Sequence, residues 1–479
     1  MYLRYYSQWE RLGNEIYGES EDFGSGYATS ISGDGNRIAI FDLDGGDTNL
    51  GRVRVFELQN DAWVQIGNDV PGLPFQFIID GNVDINEDGT RFIFASPWND
   101  ENAIGSGAVR VFEFQNNTWN QIGNTLYGTN EEEFFGTSIS INAEGDTIFC
   151  AGVSDVGYVN AYNFQNGIWE QIGSSITGEA IEDRAGASIS TNNAGDRISL
   201  SSPRNDDNGN DAGKVRVFEF QNNTWNQIGN DILGENPGDY LGRGNRSSSN
   251  TIELNGSGNR IAVSSYDYVS GNKKGQIRVF ELQNQIWTQL GSDITGNTDN
   301  LYFGSGISLN EEGSVLAVSD PYINDTGEVE VYKFENADWV QVGETISDND
   351  GKSFGHALDI NSIGDKLIIG DFENEEAGEF SPGKTTVYQN DELLAISENF
   401  VETKTSLYPN PNNGNFSIKL SETFESVSVN ISEISGKQIS NLEFSNTNEI
   451  DIEESLSSGI YFVSIKTTSS HSTLKMIVE

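Results

Sequence analysis

Short runs of alternating hydrophobic and polar residues recur along the first 390 residues and are separated by turn signals. The segments 216–220 and 278–282 show the period of two that is typical of strands. Glycines in short, mostly polar segments divide these runs and fit hairpin turns, where a positive φ is needed. The pattern therefore predicts an all-β fold with turns at Gly35, Gly89, Gly145, Gly195, Gly258, Gly313 and Gly364.

A longer repeat organises these strands. The motif Trp-x-Gln-(Ile/Leu/Val)-Gly recurs after a degenerate first copy at Trp9, and successive tryptophans lie 54, 56, 50, 56, 62 and 52 residues apart. Each interval holds four strand-like runs, which is the content of one propeller blade. Because it recurs in every copy, we expect this Trp to pack between blades. The later copies are Trp63, Trp119, Trp169, Trp225, Trp287 and Trp339.

Counting the blades leads to a prediction about closure. The seventh unit ends at 385–388 without a Trp-x-Gln strand of its own, so we expect the strand at Trp9 to complete it and remove a sheet edge. An open solenoid is the competing interpretation, but it would require polar caps at its ends. The units begin near Phe23, Phe77, Phe135, Ala185, Thr251, Phe303 and Phe354.

Composition narrows the function classes. The net charge is −46, from 73 acidic and 27 basic residues, and such a surface repels phosphate backbones, so we expect no nucleic-acid partner. No run reaches the roughly 18–20 apolar residues of a transmembrane segment. The 26 Phe, 17 Tyr and 8 Trp argue against disorder. The single cysteine, Cys150, lies in a strand-like run and is predicted to be a core residue.

The predicted blades resemble the FG-GAP repeats of integrin α-subunit propellers. The shared features are Phe-Gly at 135–136 and 354–355, Ser-Pro at 202–203, and Gly-x-Val-x-Val-Phe at 107–112. The resemblance implies a seven-bladed β-propeller over 1–390. Its calcium cage between the first two strands is not carried over, because that loop is a tight turn here, as at 33–36.

Residues 406–479 resemble the type A C-terminal sorting domain of the type IX secretion system. The resemblance implies a small C-terminal β-sandwich after a linker at 391–405, a partner in the type IX secretion machinery, and a secreted or outer-membrane surface location. It also implies a signal peptide; Met1–Ser7 has no apolar core, so we expect the natural N-terminus to lie upstream. The motif residues are Pro409, Asn410, Pro411, Gly436, Gly459, Tyr461 and Lys475.

Two Asp-rich loops have spacing that could suit calcium, the one cofactor that the sequence suggests. Calcium needs about six to eight oxygen ligands, which carbonyls and water would have to complete. Ordinary Asx-rich turns are the alternative interpretation. The residues are Asp42, Asp44 and Asp47 in one loop, and Asp206, Asp207 and Asp211 in the other.

The loops between second and third strands are predicted to emerge on one propeller face and to form a ligand-binding face. The alternative interpretation is that the aromatic residues of these loops cap the blades. The residues are Trp98, Arg204, Tyr266, Tyr268 and Tyr322.

No catalytic residues are predicted, because the two histidines, His356 and His471, do not form a recognisable triad, and His356 is expected to be a packing residue. The repeated pairs Arg54/Glu57 and Arg110/Glu113 have an odd spacing, which predicts Arg–Glu contacts between adjacent blades. The favoured function is a non-catalytic binding protein for polysaccharide or protein. A propeller-based polysaccharide hydrolase or lyase, with 239–246 as the first place to look, and a structural surface-matrix protein are the alternatives.

Overall fold

The computed structural model describes residues 8–19, 24–43, 50–73, 81–243, 250–265, 275–296, 302–375, 382–394, 406–424, 426–433, 438–454, 456–467 and 471–478. Asp44, Asp47, Tyr266, Tyr268 and Gly436 lie outside these residues. The chain forms two compact units, Met1–Leu394 and Ala395–Glu479.

Unit 1 contains seven antiparallel sheets among its described residues, each with four or five strands. They are numbered here as sheets 1 to 7 in the order of their innermost strands. Two short strands come first in the chain: β1 (Glu10–Arg11) and β2 (Ile16–Tyr17). Sheet 1 holds β3 (Ser25–Ile31), β4 (Arg37–Asp42), β5 (Arg52–Gln59), β6 (Ala62–Gln65) and β7 (Val70–Pro71). Sheet 2 holds β8 (Asn82–Ile85), β9 (Arg91–Ser96), β10 (Ala108–Gln115) and β11 (Thr118–Tyr127).

Sheets 3 to 5 repeat this order of strands. Sheet 3 holds β12 (Ile139–Ile141), β13 (Thr147–Gly152), β14 (Tyr158–Gln165) and β15 (Ile168–Thr177). Sheet 4 holds β16 (Ile189–Thr191), β17 (Arg197–Ser202), β18 (Lys214–Gln221), β19 (Thr224–Gln227) and β20 (Ile232–Leu233). Sheet 5 holds β21 (Ile252–Leu254), β22 (Arg260–Ser265), β23 (Gln276–Gln283), β24 (Ile286–Gln289) and β25 (Ile294–Thr295).

Sheets 6 and 7 complete the unit. Sheet 6 holds β26 (Gly306–Leu309), β27 (Val315–Asp320), β28 (Glu328–Glu335), β29 (Asp338–Gln341) and β30 (Ile346–Ser347), with a 3-10 turn at Ile323–Asp325. Sheet 7 holds β31 (Ala357–Ile360), β32 (Lys366–Asp371) and β33 (Lys384–Gln389), followed by the helical turn α1 (Asp391–Leu394). The N-terminal strands also belong to sheet 7, because β1 and β2 both pair with β33.

Both faces of each sheet are buried, because neighbouring sheets pack against each other. Val53 and Val55 of sheet 1, for example, share a core with Phe92 and Trp119 of sheet 2. Sheet 7 packs against sheet 1 in the same way, through contacts of Val387 and its neighbours with Ile38 and Ile40. This two-sided burial explains why the central strands read as almost continuous hydrophobic runs.

The repeated tryptophans join consecutive sheets, which confirms their predicted packing role. Each indole N–H donates to the backbone carbonyl three residues after the preceding tryptophan, at 2.8 to 3.3 Å. The first bond of the series joins Trp63 to Leu12, and the sixth joins Trp339 to Leu290. The bond from Trp9 to Val342 completes the series. These seven bonds, called here the indole ring, form a cycle.

A second cycle lies at the turns between the first and second strands. Backbone N–H groups in these turns donate to carbonyls of the next sheet at 2.9 to 3.1 Å, and Ser362 returns the series to Gly33. Between sheets 2 and 3 the amide side chain of Asn86 supplies the bond, to the carbonyl of Ala143 at 3.0 Å. We call this cycle the turn ring; its positions are Gly33, Glu87, Ala143, Asn193, Gly256, Glu311 and Ser362.

The predicted turn glycines are confirmed, since all seven have a φ between 64° and 90°. The first strands begin one to four residues later than predicted where the predicted start lies within the described residues; at 135–138 the chain makes a turn before β12 pairs. Cys150 is a buried free thiol, as expected. His356 is buried beside the rings of Tyr27 and Phe372, at 5.1 and 4.3 Å.

The predicted Arg–Glu contacts between adjacent sheets are wrong for the repeated glutamates, although Arg216 and Arg278 reach Glu179 and Glu235 in the connections from the preceding sheets. Glu57 instead pairs with Arg37 of the neighbouring strand in its own sheet, at 2.8 Å. Arg110 donates across the sheet interface to the carbonyl of Pro71 rather than to a glutamate. The same replacement holds for Glu113, Glu219 and Glu281, which pair with Arg91, Arg197 and Arg260.

Unit 2 has two antiparallel sheets over one core that includes Ile418, Val429, Ile450 and Val463. One sheet holds β34 (Ser406–Tyr408), β35 (Asn415–Phe424) and β38 (Thr447–Glu453). The other holds β36 (Val427–Glu433), β37 (Gln438–Phe444), β39 (Gly459–Thr467) and β40 (His471–Val478). Within the described part of the chain, helices are too short to cross a membrane.

Candidate functional site

The antiparallel order of strands gives each sheet of unit 1 two kinds of ends. Connections from the second to the third strand, and from one sheet to the next, lie at the same end of the strands; we call this end the loop face. The tight turns from the first to the second strand lie at the opposite end, here the turn face. The turns repeat closely, whereas the loops differ in length and sequence.

The predicted ligand-face residues lie on the loop face but form no single cluster. Trp98 packs against Phe134 at 4.5 Å, and Tyr322 packs against Tyr302 at 4.9 Å. In both pairs the partner comes from the connection between two sheets. Among the described residues no hydrogen bond, ion pair or ring contact joins Trp98, Arg204 and Tyr322.

The first predicted calcium loop begins with a carboxylate that has a structural role. Asp42 is fully buried and accepts hydrogen bonds from Arg54 at 2.7 Å and from Arg52 at 3.2 Å. Two guanidinium groups therefore already neutralise this carboxylate. The other two aspartates of that loop are outside the described residues.

In the second loop the carboxylates point to different partners. Asp206 accepts the backbone N–H of Asp211 at 2.8 Å, whereas Asp207 pairs with Lys214. Asp211 accepts the Tyr240 hydroxyl at 3.2 Å. No group of three or more His, Cys, Asp or Glu in the described ranges is arranged to hold a metal ion. Calcium binding thus stays a prediction.

Arg204 instead lies near two further arginines. The loops that carry Arg184, Arg204 and Arg243 converge at the loop-face end of β17, because Gly186 donates to the carbonyl of Ser201 at 2.8 Å and Gly242 packs against the Ser201 side chain. Beneath them, the buried Asn205 amide donates to the buried Asp183 carboxylate at 3.4 Å. We call these three side chains the arginine cluster.

The cluster is positive by geometry and by its effect on titration. Partial burial, followed by repulsion from Arg204 and Arg243, lowers the pKa of Arg184. Arg243 lies over the ring of Tyr240 at 4.9 Å. In the described part of the chain no carboxylate lies within 4 Å of Arg184 or Arg204, and Glu182 acts on Arg184 only from beyond that distance.

A second concentration of charge lies at the centre of unit 1. A cavity of about 120 Å³ is lined in part by Glu253, Ser308 and Asp359. These three residues belong to a set of seven equivalent positions of the first strands, each three residues before a turn-ring residue. Four of these positions are serines and three are carboxylates. The set, called here the axial ring, is Ser30, Asp84, Ser140, Ser190, Glu253, Ser308 and Asp359.

The axial ring contains more acceptors than its hydroxyl protons can satisfy. Ser30 Oγ lies 3.1 Å from Asp84 Oδ1 and 3.1 Å from Asp359 Oδ2, and it accepts the N–H of Ile85 at 3.2 Å. A serine hydroxyl has one proton to donate, so Ser30 cannot fully satisfy both carboxylates at the same time. Burial and the Asp359 charge raise the pKa of Asp84 to about 7. Burial also raises the pKa of Glu253 and Asp359.

Neither cluster was predicted from the sequence as a whole. The three axial carboxylates break a column of serines, so an alignment of the first strands would have found them. Of the arginine cluster, only Arg204 was predicted for the ligand face. Arg184 and Arg243 join it through loops whose paths the repeat does not determine.

The sorting-motif residues meet at one strand of unit 2. The Asn410 side chain accepts the N–H of Ile477 at 2.8 Å and donates to the carbonyl of Lys475 at 2.8 Å. Gly459 and Tyr461 pair with the same strand, β40, in register with Val478 and Met476. Pro409 and Pro411 flank Asn410 with cis peptide bonds.

Comparison with known proteins separates the two units. Residues 406–479 match the family described as the secretion system C-terminal sorting domain. No curated protein matches the chain in sequence.

Solved structures match part of the chain. A putative 6-phosphogluconolactonase from Bacteroides uniformis is 15% identical, with a TM-score of 0.47 over 67% of this chain and 85% of that chain. A putative 6-phosphogluconolactonase from Bacteroides fragilis gives 13%, 0.45, 67% and 84%. The β-propeller domain of Cps50 (Swd1) from Myceliophteria thermophila is 10% identical, with a TM-score of 0.50 over 78% of this chain and 99% of that chain.

These findings agree with the geometry of both units. The propeller domain shares the fold alone, because its identity to the chain is low. The sorting domain indicates export by the secretion machinery to the medium or the outer-membrane surface. Residues 406–479 thus match the secretion system C-terminal sorting domain, and they follow an all-β unit with a propeller-like fold.

Proposed function

We propose that the protein is an exported, non-catalytic binding protein whose loop face takes a polysaccharide or protein ligand. The observation that carries this proposal is the contrast between the two ends of unit 1. The turn face repeats, whereas the loop face bears non-repeated side chains on a scaffold that two cycles of hydrogen bonds hold. Variable loops on a rigid scaffold are the usual construction of a binding surface.

The proposal includes a finer description of unit 1. We infer that the seven sheets are the blades of a closed seven-bladed propeller of the FG-GAP-like type. Support comes from the pairing of β1 with β33 and from the return of both the indole ring and the turn ring to sheet 1. The Phe-Gly pairs and the Gly-x-Val-x-Val-Phe strands support the FG-GAP-like assignment.

A hydrolase or lyase would need ionisable groups that a sugar can reach. The axial carboxylates are the strongest such group, but their cavity of about 120 Å³ is smaller than the roughly 300–1,000 Å³ of typical ligand pockets. Burial in the narrow cavity also favours their protonated, mutually bonded state. The binding function therefore fits this structure better than glycan cleavage does.

A glycan array probed with the full chain, with calcium and with a chelator, tests the proposal. We expect saturable binding to one class of polysaccharide, and loss on chelation would support calcium at the Asp-rich loops. Release of reducing ends from the bound glycan would contradict the non-catalytic assignment. Absence of binding in both conditions would contradict polysaccharide recognition and favour a protein ligand or a matrix role.

A further inference from the structure

We infer that the arginine cluster binds an acidic polysaccharide, one whose sugars carry carboxylate groups. This inference rests on the proposed binding function and names its ligand class. It begins from a contrast within the molecule. Elsewhere in the described residues, cations of the repeat have partners, such as Arg37 with Glu57 and Arg54 with Asp42.

The cluster is unusual because the rest of the chain is so acidic. Acidic residues outnumber basic ones by 73 to 27, yet three guanidinium groups from separate loops lie together. Their mutual repulsion has an unfavourable energy that no nearby ion pair offsets for Arg184 and Arg204. An anion that binds there would remove that repulsion.

The underlying structure fixes the cluster in place. The buried side chains of Asn205 and Asp183 are hydrogen-bonded to each other. These two residues are the sequence neighbours of Arg204 and Arg184. Arg243 is held over Tyr240, whose hydroxyl donates to Asp211. These contacts hold the loop backbones that carry the arginines, so fewer degrees of freedom are lost when a ligand binds.

The chemistry of the cluster favours a carboxylated sugar chain. Arginine binds planar carboxylates through two parallel N–H donors. The exposed Arg184 and the half-buried Arg204 and Arg243 would meet such groups one at a time along a thin chain. A folded acidic protein would instead cover roughly 800 Å² and bring its charge against the carboxylates that surround the cluster.

Binding of tetragalacturonate to the full chain, measured by calorimetry at low salt, tests the inference. We expect the affinity for tetragalacturonate to fall at least tenfold in the double variant Arg184→Gln/Arg204→Gln. Both guanidinium groups are free of ion pairs in the described residues, so the thermal midpoint of the variant should stay unchanged and exclude misfolding. Lys352→Gln is the matched control, because Lys352 is exposed on the same face but lies outside the cluster. The affinity of this variant for tetragalacturonate should equal that of the original chain.

The other outcomes are equally informative. Equal binding by the double variant and the original chain would overturn the assignment of the site. Tighter binding of a poly-glutamate peptide than of tetragalacturonate, lost in the double variant, would overturn the polysaccharide in favour of an acidic protein. A neutral glycan bound equally by both forms would overturn this inference while the proposed binding function stands. No binding to tetragalacturonate at all would also overturn the inference.

Discussion

At the scale of single residues, the Trp-x-Gln-Ile-Gly motif encodes a joint between sheets. The glycine that ends each motif takes a positive φ. A Cβ at Gly67 would lie 2.5 Å from Trp119 Cδ1 of the next sheet. The same indole donates to the carbonyl of Ile66, the residue before that glycine. Gly67 therefore leaves space for the indole ring of Trp119, and Ile66 accepts its hydrogen bond.

Replacing Trp119 with Phe should destabilise unit 1. The change leaves the buried carbonyl of Ile66 without its donor and opens space beside Gly67, so we expect a loss of about 1–3 kcal/mol in the free energy of unfolding. Urea unfolding followed by circular dichroism measures this. Thr118→Ala, an exposed neighbour, should change stability by less than about 0.5 kcal/mol. Equal effects of the two variants would contradict a structural role for the indole bond.

Asp84 makes stability depend on pH. Its pKa is raised to about 7, so the folded state holds a proton that the unfolded chain releases near pH 4. The free energy of unfolding therefore decreases as the pH rises from about 4 to about 7. Asp359 contacts the same Ser30 hydroxyl as Asp84, and it lines a cavity together with Glu253, Glu87 and Glu311.

Asp84→Asn should remove this part of the pH dependence. The amide keeps both hydrogen bonds, accepting from Ile141 and donating to Ser30, without a charge. We expect the variant to match the original chain near pH 4 and to exceed it by on the order of 1 kcal/mol at pH 8. Urea unfolding at both pH values measures the difference. A difference that is constant with pH would contradict the protonated pair.

At the scale of elements, the N-terminal strand β1 pairs with the last strand of sheet 7. Glu10 pairs with Gln389 and Arg11 with Tyr388, so sheet 7 combines the two ends of unit 1. Directly opposed residues of an antiparallel pair lie about 4.5–5.5 Å apart, within reach of a disulfide.

The double variant Glu10→Cys/Gln389→Cys should therefore form a disulfide in the folded protein. The native thiol, Cys150, is buried and should not compete. We expect oxidation to raise the thermal midpoint relative to the reduced protein, because the bond closes a very long loop. Mass spectrometry of the unreduced digest identifies the linkage. Free thiols at both substituted positions after oxidation of the folded protein would contradict the pairing of β1 with β33.

The repeat pattern was enough to predict most of these elements. Alternation and turn glycines predicted the strands and their order, and the unpaired first tryptophan predicted the partner of β33. The Arg–Glu contacts could not be derived from spacing along one strand, because Glu57 faces Arg37 through the register of the neighbouring strand. The arginine cluster could not be derived either, since Arg184, Arg204 and Arg243 meet only through the folding of three unlike loops.

At the scale of the whole molecule, export depends on unit 2. Asn410 bonds to two backbone groups of β40, which joins the beginning of the sorting motif to its end. We expect Asn410→Ala to reduce the exported fraction several-fold, measured by immunoblotting of medium, membrane and periplasm. Asn413→Ala, in the same loop and exposed, is the control and should be exported normally. Equal export of both variants would contradict the role of Asn410.

The pairing of β1 with β33 also has a consequence for timing. The strand β1 pairs with a strand that ends at Gln389, so sheet 7 cannot form until nearly the whole of unit 1 has been made. Contacts between such distant parts of a chain form slowly. Sheet 7 is therefore the sheet of unit 1 whose strands are furthest apart in the order of synthesis, and we expect it to be among the last to form.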